Sequence, residues 1–170
     1  MATHAVAPHR AASFTAPDRF ERILAAGAVI LLAAAVVAVI RGRHDWALVP
    51  PLIWVHLATI AVALVLTPVM LLRPRGDPRH RLLGTIWVAA MLATALISLG
   101  IRETNHGNFS IIHLLSVFTL VQVPILWWTA RTHHVARHRR AVRGMVTGAL
   151  LIAGFFTFPF DRLLGHWLFG

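Results

Sequence analysis

An apolar run of membrane-spanning length, from residue 108 to residue 130, carries a single histidine close to its start. A bilayer core about 30 Å thick requires roughly 20 helical residues, so this run is long enough to cross it. An ionisable side chain inside such a segment is costly, and a functional role is therefore the default hypothesis for it. The histidine is His113, and it begins a pattern that occurs twice in the chain.

The pattern is an internal repeat that contains a histidine, a proline, an arginine and a second histidine. In the first copy, Pro68 follows His56 by twelve residues, and Arg73 precedes His80 by seven. The two histidines of this copy are 24 residues apart. Fixed spacing of this kind indicates a repeated structural unit.

The second copy has the same order at nearly the same spacing. Pro124 follows His113 by eleven residues, Arg131 precedes His138 by seven, and the two histidines are 25 residues apart. We predict that each copy is one helical hairpin, so that the two copies are parallel and pack about an axis along the membrane normal. This arrangement pairs the first histidines of the two copies in one layer and the second histidines in another.

The composition places the chain among all-α integral membrane proteins. Of its 170 residues, 58% are hydrophobic and only 13% are charged, and the mean hydropathy is +0.72. The net charge of +10 comes from arginines in short segments between apolar runs, where they can neutralise anionic lipid headgroups, so nucleic acid is not the expected partner. The absence of cysteine excludes disulfides, covalent c-type haem and cysteine-ligated clusters, so any metal centre must use histidine.

The hydropathy pattern predicts one membrane domain at residues 17–170, preceded by a flexible cytoplasmic arm at residues 1–16. Residues Thr15–Asp18 resemble a capping box, which places the start of the first helix there. We predict that spans two to five form a four-helix bundle built from the two parallel hairpin repeats, with span one outside it. The tail at residues 161–170 is too short to span and is expected to lie in the membrane interface, with Trp167 in an aromatic belt. The five predicted transmembrane helices cover residues 20–40, 47–72, 82–101, 111–130 and 141–160.

The arginines predict the orientation of the chain. Twelve of them lie on the side of the amino terminus and four on the opposite side. By the positive-inside rule, the amino terminus is expected in the cytoplasm and the carboxy terminus outside a bacterial plasma membrane.

The two histidine layers predict a haem b protein with one or two haems. Imidazole is a strong axial ligand of haem iron, and two histidines from facing helices can hold a b-type haem without covalent attachment. The predicted ligands of the outer layer are His56 and His113, and those of the cytoplasmic layer are His80 and His138. Such a stack would give electrons a route across the membrane.

Two arginines on the cytoplasmic side are candidates for contacts with the haem. Arg73 and Arg131 could pair with haem propionates through charge-assisted hydrogen bonds. Alternatively, the same two residues could act as topology signals and contact lipids, and in these roles they require no cofactor.

Five segments between residues 50 and 170 carry a family resemblance: His56 with Pro68, Arg79–Gly84, Phe109–Leu114, His138–Arg140 before Met145, and Phe158–Gly165. Together they resemble the bacterial membrane proteins catalogued as domain of unknown function 2306, a likeness that implies the architecture and brings no activity. The order of the histidines along the spans resembles, more distantly, that of the ascorbate-reducible di-haem b-type cytochromes, which have a sixth span. The second resemblance implies electron transfer through two haems, as an analogy of layout.

Three functions are consistent with the sequence. The first is a b-type haem protein that moves electrons between a quinol or another small reductant and an acceptor. The second is a haem-free protein in which His56 and His113 form a polar site that binds a small molecule or relays protons. The third is a structural or assembly partner whose histidines form hydrogen bonds between helices. Catalytic residues are not identified, because the spans contain no paired carboxylates and no Ser/His/Asp set.

Overall fold

The computed structural model of the protein describes residues 16–101, 111–159 and 162–170. In these ranges all regular structure is helical, with no strand. Four of the described helices are long and apolar enough to cross a bilayer. Of the predicted amino-terminal arm, only Ala16 belongs to the described residues. The four helices are α1 (Arg19–Arg41), α2 (Pro51–Leu72), α3 (Pro78–Gly100) and α4 (Ile111–Arg131).

The region of the predicted fifth span is helical but changes type twice. It consists of α5 (Val135–Met145), a π-helical segment (Val146–Ile152) and the short α6 (Ala153–Phe155), which follow one another without a break. A π-helical turn inside an α-helix often marks a functional site. By length and composition, only the four helices named above qualify as spans among the described residues, so a fifth span remains a prediction.

Two short helices complete the described elements at one end of the molecule. A 3-10 helix (Gly42–Leu48) continues directly from α1, and α7 (Leu163–Phe169) packs against α1. In the predicted interfacial tail, Trp167 is 5% exposed. The expectation that this tryptophan belongs to a lipid-facing belt is therefore wrong.

A capping box fixes the start of α1 at a different position from the predicted one. The Asp18 side chain accepts a hydrogen bond from the Glu21 backbone N–H at 3.0 Å, and the Glu21 side chain accepts one from the Asp18 N–H at 3.0 Å. The box therefore runs from Asp18 to Glu21, three residues later than the predicted box. The N–H group of Glu21 lowers the pKa of Asp18, because that hydrogen bond favours the ionised carboxyl group.

The helices pack in a closed ring rather than as a four-helix bundle with a separate first span. Each helix from α1 to α4 packs against the next, α4 packs against α5, and the π-helical segment returns to α1. Ala28 of α1, Ala63 of α2 and Leu150 of the π-helical segment belong to one core cluster, and each is 0% exposed. The first span is thus part of the core, which differs from the prediction that it lies outside.

The successive helices alternate in direction, so the molecule has two ends. The end at which α1 begins is called the charged end. The end at which α7 packs against α1 is called the cavity end. The 22 residues of α2 separate the two ends by about 33 Å, at about 1.5 Å per residue. The charged end is defined by Asp18, Glu21, Arg75, Arg139 and Arg143, which form ion pairs with one another.

Large apolar side chains cover the outward surface of the ring. Ile30 of α1, Leu82 of α3 and Leu114 of α4 are 68%, 63% and 68% exposed. A soluble monomer rarely exposes contiguous apolar surface of this kind to water, whereas the interior of a bilayer favours it. The apolar helices therefore identify a helical membrane protein.

Candidate functional site

A cavity of about 970 Å³ occupies the cavity end of the molecule. Its walls come from the second half of α1, the 3-10 helix, the first half of α2 and the α6–α7 region, with single residues from the end of α3 and the start of α4. The lining is mostly aliphatic and aromatic. Small-molecule and cofactor sites typically enclose about 300–1,000 Å³ and have this character, so the volume is that of a binding site for a large ligand.

Both predicted outer ligands line this cavity. His56 comes from the first half of α2, and His113 comes from the first turns of α4. His113 is 5% exposed, whereas His56 is half-buried. The structure thus brings the two side chains to one site from helices that are separated by α3 in the ring.

The ring of His113 is held by a backbone carbonyl. Its Nε2 lies 3.2 Å from the carbonyl oxygen of Ile101. Because a carbonyl can only accept, this contact requires the hydrogen on Nε2, and the lone pair of the neutral ring then belongs to Nδ1. The contact therefore fixes both the tautomer and the orientation of the ring.

His56 has a buried nitrogen without a partner. Its Nδ1 is buried and makes no hydrogen bond within the described residues. The backbone carbonyl of His56, by contrast, has a partner, because it accepts a hydrogen bond from Thr59 Oγ1 at 2.9 Å. An unsatisfied buried polar atom is costly, and such atoms often have a redox or catalytic role or bind an ion or a water molecule.

Three tryptophans form one wall of the cavity. The Trp46 and Trp54 rings meet edge to face with centroids 5.4 Å apart, and Trp54 stacks on Trp167 with centroids 6.3 Å apart. Trp167 Nε1 donates a hydrogen bond to Asp45 Oδ2 at 3.0 Å, which attaches α7 to the 3-10 helix. The sequence patterns did not predict this wall, because it needs residues from three separate segments.

The predicted cytoplasmic pair lies at the charged end. His80 is in the first turn of α3, and His138 is in α5. His138 Nδ1 lies 3.2 Å from the carbonyl oxygen of Leu126, so the lone pair of its neutral ring belongs to Nε2. Nδ1 of His80 is buried and has no hydrogen-bond partner among the described residues.

The protonation of His138 follows from its surroundings. Burial lowers the pKa of His138, the Leu126 carbonyl opposes this shift, and the positive charge of Arg75 lowers the pKa further. The neutral imidazole, which is the form that binds metals, therefore predominates at neutral pH.

The two predicted arginine partners have other contacts. Arg73 pairs with Asp77 at 2.9 Å, and its Nε is buried without a hydrogen-bond partner in the described part of the chain. The Arg131 guanidinium lies 4.5 Å from the centroid of the Trp127 ring, on the surface of the protein. Neither contact involves a histidine of the predicted layers, so the propionate role of both arginines remains a prediction.

An acidic residue that the sequence patterns did not single out organises the charged end. Glu21 is 1% exposed, and both of its carboxylate oxygens accept hydrogen bonds from Arg139, at 2.7 and 2.9 Å. It also accepts from Arg75 at 2.5 Å and from Arg143 at 3.1 Å. The Glu21 carboxylate raises the pKa of Arg139, because it favours the charged guanidinium. The signal in the sequence was an acidic residue at the start of an apolar span.

The same cluster connects three parts of the chain. Asp18 pairs with Arg139 at 3.2 Å and also contacts Arg143. Arg75 lies in the α2–α3 connection, and its side chain also donates to the Ala16 carbonyl oxygen at 3.2 Å. The cluster therefore joins the start of α1 to that connection and to α5.

The described residues contain no group of three or more His, Cys, Asp or Glu side chains that could hold a metal ion. No protein-family model, no curated protein and no solved structure shows significant similarity to the chain.

Proposed function

We propose that this protein binds a b-type haem at the cavity end and carries electrons within the membrane. The observation that carries the proposal is that His56 and His113 border one mostly apolar cavity of about 970 Å³. The internal repeat predicts this pairing, and imidazole nitrogens are suitable axial ligands for haem iron. One-electron transfer is the chemistry that the haem supplies when it is bound.

The residues around the cavity fit this role. The Ile101 carbonyl fixes the orientation of the His113 ring at the edge of the cavity through Nε2. The lining is mostly apolar, and the tryptophan wall supplies flat surfaces for a large ring system. Arg162 and His166 also line the cavity and offer donors to the carboxylates of a ligand.

A second haem at the charged end is the extension of this proposal. The Leu126 carbonyl fixes the lone pair of His138 on Nε2, and Nδ1 of His80 is buried without a hydrogen-bond partner among the described residues. These observations support a second ligand pair at the opposite end of the molecule from the first. The outer pair is the principal site, because it borders the large cavity.

The absorption spectrum of the full-length protein, purified in detergent from haem-replete cells, tests the proposal. We expect a red protein with a Soret band that shifts on reduction with dithionite. A colourless protein from cells that load other haem proteins would overturn haem binding.

A haem-free small-molecule site is the second candidate, and the tryptophan wall favours it. Trp46, Trp54 and Trp167 present indole rings to an apolar cavity, an arrangement suited to a membrane-soluble ring compound such as a quinol. In this case His56 would serve as the polar contact for the ring oxygens.

Quenching of tryptophan fluorescence by a short-chain quinone distinguishes this candidate. If the cavity binds the quinone, Trp54→Phe should remove much of the saturable quenching. Trp128→Phe is the matched control, since Trp128 is 55% exposed and does not line the cavity. Equal quenching in the two variants would contradict binding at the tryptophan wall.

We further propose that the chain has five spans in a bacterial plasma membrane, with the charged end in the cytoplasm. The arginine asymmetry supports this orientation and places the excess of arginines beside anionic lipid headgroups. Reporter fusions at Ala5 and Gly165 should give opposite responses, and equal responses would mean that the number of spans is even.

A further inference from the structure

A second, smaller cavity of about 100 Å³ lies inside the ring of helices, next to the large one. We call it the hydroxyl chamber, because hydroxyl groups from several elements line it. His56 borders both cavities. The hydroxyl-bearing residues of its lining are Thr94 and Ser98 of α3, Ser116 and Thr119 of α4, and Thr157 after α6.

The hydroxyl groups of the chamber are oriented by the protein. Thr94 Oγ1 donates to Thr59 Oγ1 at 2.8 Å. Thr119 and Thr157 donate to backbone carbonyls of their own segments at 2.8 and 2.6 Å. Because each hydroxyl oxygen has two lone pairs besides its hydrogen, these three oxygens remain able to accept hydrogen bonds.

The chamber has the size and chemistry of a water site. At about 30 Å³ for each water molecule, it has room for about three, and buried water requires two to four polar partners. The buried Nδ1 of His56 has no hydrogen-bond partner in the described part of the chain, and buried polar atoms of this kind commonly bind ordered water.

From this geometry we propose that the hydroxyl chamber binds a cluster of water molecules that completes the hydrogen bonding of the His56 ring. The water accepts from or donates to Nδ1, while the threonine hydroxyls hold the water in place. Thr94 and Thr119 are thereby positioning residues for His56, acting through the water. The site does not require a haem, so the inference goes beyond the proposed function.

Two methionines provide a direct test of hydration. Met91 lines the chamber, whereas Met145 belongs to the same apolar core without lining it. Both are 2% exposed, so bulk solvent reaches them equally poorly. Radicals that X-rays generate from bound water oxidise an adjacent methionine to its sulfoxide, and mass spectrometry measures the rate at each residue.

The experiment uses the full-length protein in lipid nanodiscs without added ligand. We expect Met91 to be oxidised at least about fivefold faster than Met145, because only Met91 lies beside bound water. Equal and slow oxidation of the two methionines would show a dry chamber and overturn the proposal.

A variant connects the water to His56. Thr119→Val keeps the shape of the side chain and removes one acceptor, so it should slow Met91 oxidation and leave Met145 unchanged. In ¹⁵N-histidine NMR spectra of haem-free protein, the same variant should shift the Nδ1 resonance of His56. The matched control is His138, whose Nδ1 contacts the Leu126 carbonyl and should not shift. An unchanged His56 resonance would overturn the role of the water in positioning this ring.

Discussion

The Glu21→Gln substitution is expected to destabilise the protein strongly, because it removes one negative charge and keeps the size of the side chain. The carboxylate of Glu21 is 1% exposed and accepts hydrogen bonds from three arginines. Two of these, Arg75 and Arg139, have side chains that are only 16% and 18% exposed. After the substitution, both would keep their charge in a partly dehydrated site and lose this ionic partner.

The magnitude follows from the cost of breaking a buried ion pair. Removing one partner of such a pair typically costs about 3–5 kcal/mol, because the remaining charge is left without compensation. The arginines are partly hydrated, and Asp18 still pairs with Arg139, so we expect the lower part of this range, about 3–4 kcal/mol. Since folded proteins are stable by only about 5–15 kcal/mol, this is a large fraction of the total.

The assay is unfolding of the full-length protein in mixed detergent micelles by increasing SDS, followed by tryptophan fluorescence. Asp77→Asn is the matched control, because its carboxylate pairs with Arg73 in the α2–α3 connection, where the Asp77 side chain is 39% exposed. We expect a much smaller loss for this control. A loss of less than about 1 kcal/mol for Glu21→Gln, the value typical of exposed pairs, would refute the view that the cluster is a buried ionic contact.

Three further predictions concern the cavity end, pH and the relative importance of the histidine layers. Gly165→Ala should destabilise the packing of α7 in a thermal melt, because a Cβ there would overlap the backbone carbonyl of Phe158. Gly144→Ala should be neutral or slightly stabilising in the same melt, because no atom of the described residues lies within 4 Å of the new Cβ. Because the folded-state pKa of His138 is lowered, the unfolded chain binds more protons near the ordinary value of 6.5, so the melting temperature should fall as the pH drops through 6.5. This fall should be smaller in His138→Gln, and an identical pH profile would contradict the burial argument. In haem-loaded protein, His80→Ala should remove at most half of the haem, and complete loss would contradict the assignment of the outer pair as the principal site.

The positions of the central spans could be predicted from the sequence, because they depend on local hydropathy alone. The predicted spans at residues 47–72, 82–101 and 111–130 correspond to Pro51–Leu72, Pro78–Gly100 and Ile111–Arg131 in the structure. The predicted and observed ends differ by a few residues, because capping residues fix the first turn of a helix. At the start of α3, for example, the Asp77 carboxylate accepts a hydrogen bond from the His80 N–H at 2.6 Å.

Contacts between distant segments could not be predicted in the same way. Glu21 and Arg139 are 118 residues apart, and no periodicity in the sequence relates them. Trp167 was assigned to an aromatic belt because it lies near a predicted span end, but it is buried, and Asp45 from a distant segment accepts the hydrogen bond of its N–H group. The place of α1 in the core likewise depends on small residues such as Ala28. Such residues let helices pack closely, but they form no distinctive pattern in the sequence.

The predicted pairing of His56 and His113 came from the internal repeat, and the structure places both residues at one cavity. The contact of His113 with the Ile101 carbonyl could not be foreseen, because it depends on how the end of α3 meets the start of α4. The repeat likewise did not predict the hydroxyl chamber, whose lining hydroxyl groups come from α3, α4 and the segment after α6.

The amount of haem bound per polypeptide in single histidine variants tests the central claim most directly. Full-length wild type, His56→Ala, His113→Ala and the control His44→Ala, which changes an exposed histidine at the cavity end, would be purified at matched expression and checked for helical content. We predict that His56→Ala and His113→Ala each abolish the haem signal of the outer site and that His44→Ala retains it. An unchanged haem-to-protein ratio in both His56→Ala and His113→Ala would contradict the claim that these residues hold the cofactor.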